Sequence, residues 1–107
     1  MSKVVNIKNM ITLGYILRRI REDKQMPLQR VSESSGIDAT LLSKIETGKR
    51  IATTEQVLKL AHVYEFDDAT TLLIQRQSDE IISKLNSVDS DIALKALQAA
   101  KEKVAYG

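Results

Sequence analysis

An all-α fold is what this sequence predicts, and three observations carry the prediction. From Leu13 onward, apolar residues recur at spacings of three and four, beginning with Leu13, Ile16, Leu17 and Ile20. Start and stop signals fall between the periodic segments, among them Gly36 with Asp38 and Thr53 with Gln56. The 107 residues are rich in helix formers, with four glycines and one proline, and no segment has a convincing strand pattern.

The elements follow in order. Residues 1–12 are mixed in character and uncapped, and read as an N-terminal arm whose Lys3 and Lys8 could touch a phosphate backbone. A first helix runs from Leu13 to about Asp23 and shows Arg18, Arg19 and Arg21 on its other faces. It breaks at Gln25-Met26-Pro27, because the residue before proline avoids the helical region, and Pro27 suits the first position of a second helix. That helix is short and turns Leu28 and Val31 inward. Gly36 then stands where a left-handed residue is wanted, Ile37 packs inward, and Asp38 can cap a third helix from about Ala39 to Glu46. A connection of about four residues suits two helices that cross steeply.

Gly48 closes the third helix, with Lys49 and Arg50 in the loop beyond. Thr53 and Gln56 have capping-box spacing and open a fourth helix carrying Val57, Leu58, Leu60, Ala61 and Tyr64. Asp67 reads as the cap of a fifth helix beginning near Asp68. It opens on Leu72, Leu73 and Ile74, crosses a polar run over 75–80 and resumes with Ile81, Ile82 and Leu85, as one long helix or two. After the break NSVDSD a last helix runs from about Ser90 to Val104, with Ile92, Ala96, Ala100 and Val104 four residues apart and Ala93 and Leu97 alongside.

A chain of this length builds one core, so one domain with an appendage is expected: an arm over 1–12, a domain over 13–76 and a helical tail over 77–107. The absence of cysteine excludes disulfides, thiol catalysis and thiolate-bound zinc. The one histidine, His62, reads as a half-buried structural residue rather than a metal ligand. Purely apolar runs are short and the first dozen residues lack a signal-peptide core, so a cytoplasmic protein that meets no membrane is expected. No histidine pairs with a nucleophile and no glycine-rich phosphate loop is present, so neither an enzyme nor a cofactor is expected. Net charge is +2, yet residues 1–64 carry eleven Lys and Arg against six Asp and Glu, and residues 65–107 carry five against eight. That asymmetry points the first half at an anion.

The segment from Leu13 to about Ile74 resembles the lambda repressor and Cro type helix-turn-helix family, also called the Xre family. The resemblance is carried by Ser35-Gly36-Ile37, by Leu42-Ser43-Lys44-Ile45-Glu46 followed by Gly48, and by Leu60-Ala61, in family order and spacing. It implies a five-helix lambda-repressor-like DNA-binding domain with a C-terminal helical extension, whose third helix enters the major groove of double-stranded DNA. By resemblance, Leu42 and Ile45 anchor that helix and the base contacts fall to Ala39, Thr40, Ser43 and Lys44. Lys44 can donate to guanine O6 or N7, Thr40 and Ser43 can hydrogen-bond either kind of partner, and the Ala39 methyl can meet a thymine methyl. Gln29, Thr47, Lys49 and Arg50 are candidate phosphate contacts. The family often has glutamine where Leu28 stands, so Gln29 or a backbone N–H takes that contact, or it is missing. The family also joins an arginine ending the first helix to a glutamate closing the third, and Arg21 and Glu46 occupy those places.

Members of such a family bind two half-sites as dimers, because one recognition helix reads too few base pairs. Ile81, Ile82, Leu85, Ile92, Leu97 and Val104 therefore read as a homodimer interface, with folding of the tail onto its own domain as the alternative. The expected function is sequence-specific transcriptional regulation, as a repressor or autoregulator such as a restriction-modification controller or a phage-type repressor. The alternative is an antitoxin-like interaction module whose tail binds a partner protein.

Overall fold

Six helices make up the described residues of the computed structural model: α1 Leu13–Asp23, α2 Leu28–Ser35, α3 Ala39–Glu46, α4 Thr54–Val63, α5 Ala69–Leu85 and α6 Ser90–Tyr106. The structure describes residues 11–86 and 89–106, and of Ser90 and residues 104–106 the backbone alone. All but the end of the arm over 1–12 lies outside the described residues, which contain no strand.

Most helices start on a side-chain oxygen that satisfies an orphan N–H. Thr12 accepts from Tyr15, Asp38 from Thr40 and Leu41, and Thr53 and Gln56 form a reciprocal capping box. The cap of α5 is Asp68, one residue later than Asp67, because its carboxylate reaches the Thr71 N–H. Hydrogen bonds from the Thr71 hydroxyl and backbone hold the Asp68 carboxyl below its ordinary pKa. Pro27 is the extended N-cap of α2 and not its first helical residue: ψ is 149°, and its carbonyl accepts the N–H groups of Arg30 and Val31.

Left-handed residues follow the first four helices. Gly36 at φ 74° closes α2, and Gly48 at φ 80° follows Thr47, the C-cap of α3. Gln25 at φ 55° breaks α1 before Pro27 is reached, with the Met26 N–H returning to the Arg21 carbonyl at 3.1 Å. Glu65 at φ 51° does the same after α4, whose last helical residue is Val63.

The core gathers Leu13, Leu17, Val31, Ile37, Leu42, Ile45, Val57, Leu60, Tyr64 and Leu72, with α1 packed on α3 and α5, α2 on α3 and α4, and α4 on α5. Each buried aliphatic side chain contributes roughly 1.5–3 kcal/mol. His62 is exposed rather than half-buried, because it shares the outer face of α4 with exposed Leu58, four residues before it. α5 is one unbroken helix, so the boundary drawn at residue 76 falls in its middle. The tail helix α6 runs past Val104 to Tyr106. Of its described side chains Ala93 alone is buried, and Ile92, Leu94 and Leu97 stay exposed.

Candidate nucleic-acid interface

Helix α3 is held from within by Leu42 and Ile45, each at most 2% exposed, and half-buried Leu41 packs beside them. The helical period then puts Thr40, Ser43 and Lys44 on the outside, all exposed, with Ala39 half-buried at the edge. The outer face they form carries two hydroxyls, one lysine and, at its edge, the Ala39 methyl, and the loop after α3 follows directly from it.

Two contacts with α1 set where that face lies. At Gly14 the α1 backbone runs so close to the end of α3 that any Cβ would collide with the Ile45 carbonyl oxygen. Arg21 grips Glu46 in a bidentate pair, Nε donating to Oε2 at 2.8 Å and Nη2 to Oε1 at 3.0 Å, while Nη1 donates to the Met26 carbonyl at 2.9 Å. The side chains are 16% and 7% exposed, and the hydrogen bond to Glu46 raises the Arg21 pKa above its ordinary value. Tyr64 lies beside the pair. Its hydroxyl is buried without a hydrogen-bond partner, and desolvation, reinforced by the Glu46 charge and opposed by Arg21, pushes its pKa up to about 12.

The loop after α3 is tied to the helix it leaves. The Lys44 carbonyl accepts the N–H groups of Lys49 at 2.9 Å and Arg50 at 3.2 Å, which sets both exposed cations at the C-terminal end of α3, the favourable end of its dipole. The Thr47 hydroxyl donates to the carbonyls of Ser43 at 2.9 Å and Lys44 at 3.3 Å, so its proton is already in use. Gln29 is exposed in the first turn of α2, with its amide 3.5 Å from Glu33. Leu28 packs against the core, and Pro27 supplies no capping oxygen to the start of α2.

The tail candidates separate. Ile81, Ile92 and Leu97 are exposed, while Ile82 and Leu85 are half-buried. Ile82 lines a groove of about 320 Å³ with Gly14, Ile45, Ile51, Ala52 and Asp79. The Val104 side chain lies outside the described part of the structure.

Sequence reasoning missed Gly14, Ala52, Arg76 and Asp79. Ala52 is a fully buried anchor of the loop, its carbonyl accepting from Arg76 Nε at 2.7 Å. Asp79 accepts the Leu13 N–H at 2.8 Å, 66 residues away along the chain. A glycine inside an amphipathic helix costs helix propensity and so hints at a packing reason, which could have flagged Gly14. Nothing in the polar run over 75–80 singles out Arg76 or Asp79 from a solvated face.

Residues 12–73 match the helix-turn-helix domain family. The match spans more than half of the chain, which therefore belongs to that family, a class of DNA-binding domains, in keeping with the lambda repressor and Cro resemblance. No curated protein and no solved structure matches it. Among the described residues no group of three His, Cys, Asp or Glu could hold a metal ion, and no helix is long and apolar enough to cross a membrane.

Proposed function

We propose that the chain is a sequence-specific transcriptional regulator of the cytoplasm, a repressor or autoregulator of the restriction-modification controller or phage-repressor kind, that reads the major groove with α3. The observation that carries this reading is the exposed row of Thr40, Ser43 and Lys44 on a helix whose opposite face is buried and whose end is clamped by Arg21. Such a helix can enter a groove without deforming, with Ala39 close enough to the edge to meet a methyl group. Lys49 and Arg50 supply phosphate affinity, Gln29 and the uncapped start of α2 supply a second backbone contact, and Thr47 joins them only by exchanging its intrahelical bonds. No bidentate Asn, Gln or Arg reader stands on α3, so each base contact discriminates modestly and two half-sites are needed for specificity.

The chain acts in this reading as a homodimer built on Ile81, Ile92 and Leu97, which the monomer leaves in water, with Leu85 and Val104 assigned to the same interface from the sequence and Ile82 lining the groove. The DNA-binding unit extends to the end of α5, since Asp79 and Arg76 bond back to α1 and to the loop. The same exposed residues favour the second reading, an antitoxin-like module gripping a different protein.

The test is a salt titration of binding to the chain's own upstream DNA and to random duplex, for wild type and a Thr40→Ala, Lys44→Ala double variant. The wild type should prefer its own DNA, and the variant should lose the preference while keeping weak, salt-sensitive binding. If neither distinguishes the duplexes, either the operator lies elsewhere or the helix-turn-helix is a scaffold, and the search moves to a protein partner for the tail.

A further inference from the structure

We propose that Arg76, on the part of α5 beyond the family match, is a positioning residue that holds the loop over 49–52 so that Lys49 and Arg50 face the phosphate backbone. The inference rests on the DNA-binding reading above and adds to it a residue outside the helix-turn-helix match, which ends at residue 73.

The loop is tied at two points and unsupported between them. One tie is the Lys44 carbonyl, which collects the N–H groups of Lys49 and Arg50. The other is Ala52, wholly buried, whose carbonyl takes the Arg76 Nε–H at 2.7 Å. Between the ties the side chains of Lys49, Arg50 and Ile51 are exposed, and these residues line, with Gly14, Ile45 and Ile82, the groove of about 320 Å³. Three exposed residues in a row that border open space gain little from close packing, so directed hydrogen bonds at the two ties carry much of the order of this segment. A loop ordered in advance need not be ordered when DNA arrives, and that saving appears as affinity.

Arg76 is built for this task and not for touching DNA. Its side chain is 16% exposed, and Nη2 is paired with Glu80 at 3.0 Å, one turn along the same helix. With Nε and Nη2 both engaged, the fork is oriented and its charge partly balanced. Any effect of Arg76 on DNA binding must therefore pass through the loop. Its neighbours do the same for the entry to α1: the Gln75 amide donates to the Ile11 carbonyl at 3.1 Å, and Asp79 accepts from Leu13. Two consecutive turns of α5 thus bond to Ile11, Leu13 and Ala52, all of which line the groove.

Two readouts on the full chain test the proposal. The first is native-state trypsin cleavage after Lys49 and Arg50, taken as a ratio to cleavage after Lys24 in the exposed α1–α2 turn. Losing one charge-assisted hydrogen bond should raise that ratio about tenfold in Arg76→Met, with partial recovery in Arg76→Lys. A general loss of stability would raise both cleavages together, and an unmoved ratio overturns the proposal. The second is the slope of log affinity against log salt on duplex DNA, which should fall by about two for each bound protomer in Arg76→Met. In a Lys49→Ala, Arg50→Ala background, Arg76→Met should lower the slope no further, because its effect runs through those two residues. An unchanged slope in the single variant, or an additive loss in the combined one, overturns it. If the wild type shows no salt-dependent binding at all, the DNA reading falls and the phosphate role of Arg76 with it, and the trypsin ratio alone decides whether Arg76 holds the loop. Should Arg76→Met not fold, Glu80→Gln, which leaves the guanidinium in place with a weaker second partner, should change the same quantities in the same direction by less.

Discussion

Gly14 and Tyr64 are single residues whose importance comes from atoms far along the chain. Gly14→Ala improves helix propensity by up to about 1 kcal/mol, yet it drives a methyl into the Ile45 backbone carbonyl, which cannot swing aside as a side chain can. The expected outcome is a net loss of about 2 kcal/mol, seen in chemical denaturation, together with weaker DNA binding because α3 is displaced. Unchanged stability would mean that α1 and α3 slide freely. The buried Tyr64 hydroxyl has no partner, so Tyr64→Phe should leave stability at neutral pH unchanged or raise it by about 1 kcal/mol. Alkaline pH separates the two proteins further. With the native pKa near 12 and the unfolded one near 10, the unfolded chain loses its phenolic proton first. Stability of the wild type therefore falls across pH 10 to 12, by up to about 2–3 kcal/mol, and Tyr64→Phe should flatten that fall. Parallel pH profiles would place Tyr64 in a wetter site than the structure shows.

Elements here are oriented by a few polar clamps laid over an apolar core. Leu42 and Ile45 fasten α3 to the core but leave its rotation and tilt to be set by other contacts, and the bidentate pair of Arg21 and Glu46 supplies that constraint from α1. Arg21→Ala leaves Glu46 largely buried without its cation and the Met26 carbonyl without a donor. It should cost about 2–4 kcal/mol and lower DNA affinity as well as melting temperature. A variant that melted like the wild type would show the pair to be a surface accident. The same logic makes α5 more than a connector. Its apolar first turns join the core through Leu72, and its polar third and fourth turns carry Arg76 and Asp79 to the loop and to α1.

At the scale of the whole molecule, the tail carries apolar side chains that meet water. Ile81, Ile92 and Leu97 lie exposed, and an apolar set of this kind is stable in water when something covers it. Sedimentation of the wild type should show a dimer, and an Ile92→Lys, Leu97→Lys double variant should sediment as a monomer with unchanged helix content, since neither side chain is buried in the single chain. A dimer that survives both lysines would move the interface elsewhere. Truncation is best made after Asn86, because a cut at residue 76 removes Asp79 and Glu80 and so unties α1 and Arg76.

What could be read along the chain and what could not divide by distance. Caps and turns are interactions over about five residues, so Gly36, Asp38, Thr53 with Gln56 and the limits of α3 follow from local chemistry. Errors of one residue, at Pro27 and at Asp67, arise where two neighbouring residues could each serve and packing chooses. The outward face of α3 is likewise implied by periodicity, and the places of Arg21 and Glu46 by family resemblance. The bond from Arg76 to Ala52 across 24 residues and that from Asp79 to Leu13 across 66 had no local signal, since Arg76 and Asp79 resemble any solvated pair on a polar helix, whereas Gly14 marks a packing position without naming the Ile45 carbonyl as its neighbour. Periodicity tells which side of a helix is dry. Only the packed chain decides which polar residues beside that dry side are enclosed and bonded, because enclosure depends on every element at once.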